Sequence, residues 1–179
     1  LESRIDGSLP STDSLPPSSS RDAIPLTFSR KNLAARPVSP IIPPVYVVLD
    51  TSVLVAGLRS NRGASFQILQ AVRWSDIRIA VSVALVLEYE AVLLRPGLVP
   101  GFRPEEIGRF IDALCRLAVH QEIFFAWRPF LPDPDDDLVL ELAVAAAAPF
   151  VITHNISDFV RSDTLGVRAI TPAEALNLI

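Results

Sequence analysis

Four stretches of this chain carry oxygen-bearing side chains at positions that could do chemistry. Asp50 ends the apolar run VYVVLD, Glu88 lies in VALVLEYEAVLL, the run DPDDD supplies Asp133, Asp135, Asp136 and Asp137, and Asn155 and Asp158 follow FVIT. Carboxylates supplemented by a side-chain amide suit a hard divalent cation such as Mg²⁺ or Mn²⁺, which takes oxygen ligands together with water and substrate phosphate. A structural role competes at each position. Aspartate at a helix N-terminus caps the helix and complements its dipole, and Asp133 as N-cap with Pro134 at the first helical position explains two residues of the run. It does not explain four acids, because adjacent carboxylates repel and raise one another's pKa unless a cation shares them. At about 100° per residue, Asp136 falls on the helix stripe of Leu140, Ala143 and Ala147, whereas Asp137 falls with Glu141. Asp136 is therefore expected to point inward over the sheet edge and Asp137 outward.

Other reactive groups are sparse. There is no CxxC or Cys/His cluster for zinc and no GxGxxG or Walker-type loop, so any metal must be held by oxygen. His154 could serve as an acid or base, but a rim or capping role explains it more simply. His120 and Cys115 are expected to be structural, and Trp74 and Trp127 to anchor the core rather than stack on bases.

The elements that must position these residues are legible from the pattern. VYVVLD (45 to 50) reads as a strand buried on both faces. Ser52 is expected to cap a short helix, followed by a second over 63 to 74, a strand over 77 to 82, and a helix over 83 to 94 capped by Ser82. A helix over 104 to 118, a third strand over 122 to 127, a helix over 136 to 148, strands over 150 to 153 and 167 to 171, and a closing helix complete the order. Strands separated by helices imply βαβ crossovers, hence an α/β fold with a mostly parallel sheet of four to five strands between helical layers. In such sheets the site lies beyond the carboxyl ends of the strands, which gives the acids a common address.

Residues 1 to 44 are rich in Pro and Ser and lack a sustained period, so they read as a disordered leader ahead of a domain over 45 to 179. With no Met in the chain and Leu first, translation from a valine near Val45 would account for that leader, an expectation that N-terminal sequencing of the native protein tests. Apolar runs are broken before the roughly 18 to 20 residues that a membrane span needs, and a single cysteine with no secretory signal points to a reducing cytoplasm. The net charge of −4 gives no global attraction for nucleic acid, although a bound cation would offset part of it and arginines between Arg59 and Arg168 could form a basic rim.

VVLDTSVLVAG, VSVALVLEYEAVL, DPDDDLVLELA and VITHNISDF, in that order, resemble the successive motifs of PIN domains, in particular the bacterial toxin components related to VapC-like toxins. The resemblance spans roughly Val45 to Ile179. It implies a PIN-like three-layer α/β/α fold and a metal-dependent endoribonuclease using Mg²⁺ or Mn²⁺. The family's first acid matches Asp50, with Thr51 and Ser52 behind it, and its second matches Glu88. Its third falls on Asp136 or Asp137: counting back from Thr153 selects Asp137, while the DPDD form and the helix stripe select Asp136, which ranks first. The fourth position departs from the acidic TxD form, because Asn155 follows Thr153 and His154; Asp158 could supply the missing charge. The expected catalytic set is thus Asp50, Glu88 and Asp136, with Asp137, Asn155 and Asp158 as further metal ligands and Thr51, Ser52 and Thr153 meeting substrate.

A toxin of this kind implies RNA as substrate and an antitoxin partner, and the apolar helices over 63 to 74 and 83 to 94 suit an antitoxin or homodimer surface as well as a core. Two other classes compete. A degenerate PIN fold weakened at Asn155 would be a non-catalytic scaffold. A phosphotransferase with an aspartyl nucleophile would want a second Asp two residues after the first and a nearby lysine, but Ser52 stands there and the only lysine is Lys31.

Overall fold

The computed structural model describes residues 46–124 and 129–178, all within one compact unit, Pro37–Ile179. The leader expected over 1 to 44 lies outside the described residues, as do Trp127 and half of the expected third strand. The chain alternates as foreseen: β1 (Tyr46–Leu49), α1 (Thr51–Arg59), α2 (Ala64–Arg73), β2 (Arg78–Val81), α3 (Val83–Leu93) and α4 (Pro104–Leu117). After these come β3 (Val119–His120), α5 (Pro134–Ala145), β4 (Phe150–Ile152), two 3-10 turns (Ile156–Phe159 and Ser162–Leu165), β5 (Arg168–Ile170) and α6 (Pro172–Leu176).

The five strands form one parallel sheet in the order β3-β2-β1-β4-β5, between helical layers. β1 is central, and Val48, Leu49, Val81, Val151 and Ile152 are essentially excluded from solvent, which is why these strands are continuous apolar runs rather than alternating ones. The chain steps outward from β1 to β2 to β3, then returns to lay β4 on the other side of β1. That reversal opens a crevice beyond the carboxyl ends of β1 and β4. The register puts Leu49 opposite Ile152, so Asp50 and Thr153 leave the sheet side by side.

Helix packing fixes the surroundings of that crevice. α1 packs on α2 and α3, α3 on α4, α2 on α6, and α5 on β1, β2 and β4. Gly57 permits the close approach of α1 and α2, since a Cβ there would lie 2.6 Å from Leu69 Cδ1 and 3.2 Å from the Ser65 carbonyl oxygen. Ser82 caps α3 by accepting from the Leu85 amide at 3.2 Å, and Asp133 caps α5 by accepting from the Asp135 amide at 3.0 Å, with Pro134 at the first helical position. α5 ends at Ala145, three residues short of expectation, because Ala147 turns into the left-handed region at φ 50°.

Three expectations need correction. α1 is not capped by Ser52: it begins one residue earlier, at Thr51, with Asp50 in the N-cap position. The third strand is Val119–His120, before the expected span, because α4 ends in the extended residue Ala118 and the chain enters the sheet edge directly, Gln121 N–H donating to the Val81 carbonyl at 2.8 Å. Residues 122–124, the part of the expected strand that is described, carry no regular structure. Trp74 is no core anchor: it is 66 % exposed, with the Arg73 guanidinium 5.4 Å from its ring centroid.

Candidate active site

The side chain of Asp50 is buried at the mouth of the β1/β4 crevice. Thr153 Oγ1 donates to its Oδ2 at 2.6 Å, and Ser52 Oγ donates to the same oxygen. Oδ1 accepts no hydrogen bond among the described residues. Glu88, in the middle of α3, repeats the pattern. Its Oε1 accepts from Thr51 Oγ1 at 3.1 Å, while its Oε2 is buried without a partner. Each of the two carboxylates thus has one oxygen fixed by a hydroxyl and the other without a donor. A buried unpartnered carboxylate oxygen is costly unless something positive meets it. Glu90, the rival to Glu88, is exposed on another side of the helix.

Asp136 is half-buried and feels the charges of this pair, although Asp133 and Asp135, not Asp136, line the cleft beside them. The Asp136 carboxyl is pushed up to about 7, first by burial and then by the charges of Asp50, Asp133, Asp158 and Glu88. Burial likewise raises the Glu88 carboxyl; the Thr51 hydrogen bond opposes this, and Asp135 and Asp50 add to it. Such mutual penalties are what a shared cation relieves.

Asp137 points the other way from expectation. It is 1 % exposed, and its two oxygens accept from the backbone N–H groups of Phe130 at 3.0 Å and Leu131 at 2.9 Å. Glu141, one turn on, is buried as well. The stripe expected to face solvent is thus covered by the segment leading into α5, and Asp137 fastens that segment. Thr51, Ser52 and Thr153, expected to meet substrate, donate their hydroxyl hydrogens to carboxylates and so orient the acids, and Thr51 and Ser52 also line the open cleft.

The rim is made by the β4 exit and the start of α5. Asn155 is exposed and its N–H donates to Thr153 Oγ1 at 2.9 Å; Asp158 is half-buried and accepts from Ser157 Oγ at 3.2 Å. His154 is held at two points, its N–H donating to Ser52 Oγ at 3.2 Å and its Nε2 lying 2.7 Å from the buried Ser65 Oγ. His120, as expected, has a local structural contact, its Nε2 lying 2.9 Å from the Cys115 carbonyl oxygen. Beneath Asp50, Tyr89 is buried with its hydroxyl donating to the Leu49 carbonyl, tying α3 to the end of β1. Asp50, Glu88, Asp133, Asp135, His154 and Asn155 line one open cleft of about 750 Å³, whose remaining wall comes from α1 and the end of α3.

The donor set fits a hard cation in type: carboxylates, an amide, and two oxygens without donors. Among the described residues no group of three or more His, Cys, Asp or Glu is close enough to hold one ion, so a cation here would rest on one or two carboxylates supplemented by water and phosphate. Sequence reasoning missed Ser65 and Tyr89, whereas Arg59 and Arg95 of the cleft are two of the arginines expected to form a basic rim.

Comparison with known proteins gives two findings. The family model described as PIN domain matches residues 46–157. Among solved structures, VapBC2 from Rickettsia felis, bound to a DNA fragment from its promoter, contains a chain similar in fold, with a TM-score of 0.51 and 14 % identity over 71 % of this chain and 98 % of that one. No curated protein matches in sequence.

Proposed function

The chain belongs to the PIN-domain family, and from that premise we propose that it is a metal-dependent endoribonuclease, the toxin of a toxin–antitoxin pair. The observation that carries this reading is the pairing of Asp50 and Glu88, each with one oxygen fixed by a hydroxyl and the other lacking a donor, at the switch point of a parallel sheet. Of Asp50, Glu88 and Asp136, one or two would hold Mg²⁺ or Mn²⁺ directly and the rest through water, with the Asn155 carbonyl and Asp158 as outer ligands. Asp137 is left out of the set because both its oxygens accept backbone N–H groups. When bound, the cation supplies charge neutralisation at the phosphate and a more acidic water. The chain's own residues do the rest. Thr51, Ser52 and Thr153 hold the carboxylates in orientation, and Asp158 would take the proton of the attacking water.

The R. felis complex pairs a toxin-like chain with an antitoxin, and an antitoxin partner is proposed here by analogy. Val83, Leu87 and Leu94 leave an exposed apolar stripe along α3 that suits such a partner or a second copy of the chain. No helix among the described residues is long and apolar enough to cross a membrane, and the proposed place of work is the cytoplasm.

A second reading, a PIN-fold scaffold without catalysis, is favoured by Asn155 in place of an acid and by carboxylates that are not gathered to one point. One experiment separates the two. The wild type and Asp50→Asn are incubated with structured and single-stranded RNAs, with Mn²⁺ and with EDTA. Metal-dependent cutting that the substitution abolishes supports the nuclease. No cutting, with no metal uptake by calorimetry, supports the scaffold.

A further inference from the structure

The part of the cleft wall supplied by α1 and by α3 with the turn after it has a repeated composition. On α3, Glu88 and Val92 lie one turn apart on one face, and Arg95 follows in the turn just past the helix, its N–H donating to the Val92 carbonyl at 3.0 Å. On α1, Ser52, Val55, Ala56 and Arg59 share one face. Each segment therefore runs from a site residue through an apolar turn to an arginine, and all of these line the cleft. Each arginine lies seven residues past a site residue, Arg59 as the last residue of α1 and Arg95 just beyond the end of α3. Both arginines are exposed, and neither makes an ion pair among the described residues, although the cleft is rich in carboxylates. A position near a helix C-terminus complements the dipole, but that holds for any side of the helix and does not select the side facing the cleft.

We infer that Arg59 and Arg95 bind phosphates of a single-stranded RNA next to the one that is cut, while Val55, Ala56, Val92 and Leu98 receive a base between them. This rests on the nuclease reading and adds to it the path of the strand. Guanidinium groups suit phosphate oxygens, which they can grip with two parallel hydrogen bonds. Both stand at the far end of the cleft wall in sequence from Ser52 and Glu88, which assigns them to a phosphate next along the strand. Such contacts also explain how a chain of net charge −4 holds a polyanion: attraction is local to the wall, while the acids await a cation.

The test uses the full chain in the Asp50→Asn background, so that RNA is bound but not cut. Anisotropy of a fluorescein-labelled single-stranded RNA is titrated at several NaCl concentrations in Mn²⁺. Arg59→Ala and Arg95→Ala are each expected to weaken binding about five- to tenfold and to lower the slope of log K against log [salt] by about 0.7. Arg→Lys should restore the slope. Val92→Ser should weaken binding about threefold with the slope unchanged. The arginine variants should keep the melting temperature of the background. Unchanged affinity and slope in both arginine variants overturn the inference, and so does a loss of affinity that merely follows a loss of folded protein. In the Asp50 wild-type background, absence of metal-dependent cutting sinks the nuclease reading itself, whereas cutting that the arginine changes leave untouched sinks only the inference about the wall.

Discussion

Thr153 Oγ1 and Asp50 Oδ2, 103 positions apart in sequence, are joined by a 2.6 Å hydrogen bond across the carboxyl ends of β4 and β1. Both residues are buried, and a bond to a charged group at such a place contributes about 1.5–3 kcal/mol. It turns Oδ2 into the protein and leaves Oδ1 to the cleft. Thr153→Val keeps the shape and removes the donor. The expected result is a loss of about 2 kcal/mol in urea unfolding and at least a tenfold drop in kcat with RNA, because Asp50 is no longer held in one rotamer. Unchanged kcat in a folded variant would show that Ser52 alone suffices.

Asp136 and Asp137 are neighbours with opposite duties. Asp137 holds the backbone of Phe130 and Leu131 through two charge-assisted bonds in a dry setting. Asp137→Ala is expected to cost about 3 kcal/mol of stability and to lower activity only in proportion to the unfolded fraction. Asp136→Asn removes a carboxylate that its neighbours repel, so the fold should be as stable or more so, while Mn²⁺ uptake by calorimetry is lost. The reverse pattern, with metal binding lost only at Asp137, would exchange the two roles.

The reach of sequence reasoning can be judged on this pair. The alternation of strands and helices and the caps at Ser82 and Asp133 were legible, because they depend on local periodicity and on cap chemistry. Asp137 was misread because a helix stripe records only which residues lie together. What covers the stripe is a tertiary fact, here the segment through Phe130 and Leu131. The same limit hid the Ser65–His154 contact, which spans 89 residues, and the direction of the three site hydroxyls. The third strand was displaced because an edge strand of two exposed residues has no hydrophobic pattern to announce it.

The raised carboxyl of Asp136 gives the metal-free protein a definite pH response. A group near 3.8 when unfolded and about 7 when folded binds its proton more tightly in the native state. Its contribution is therefore intact below about pH 4 and is lost as pH rises towards 7. Partial exposure and salt screening reduce the effect to about 1 kcal/mol. Urea unfolding in EDTA should show stability declining over this window, and Asp136→Asn should flatten the decline. Mn²⁺ must displace the same proton, so its apparent affinity should rise about tenfold per pH unit up to about 7 and then level off. A metal affinity independent of pH from 5 to 7 would remove Asp136 from the ligand set.

Ala147 offers a test of the scaffold away from the site. It sits at φ 50° just past α5, where the Ala148 N–H returns to the Ala143 carbonyl at 2.8 Å and the Ala147 N–H to Val144 at 3.1 Å, the two bonds of a Schellman ending. A left-handed alanine costs about 1–2 kcal/mol, and glycine avoids that strain but loses about 0.4–1 kcal/mol through the greater freedom of its unfolded chain. Ala147→Gly should therefore stabilise by about 0.5–1 kcal/mol, raising the melting temperature by about 2–4 °C. Because Ala147 is exposed and α5 begins at the acids but ends far along the chain from them, RNA cleavage and Mn²⁺ uptake should not change. A lowered melting temperature would mean that the helix ends differently from the arrangement described, and that the strain assigned to this position is not there.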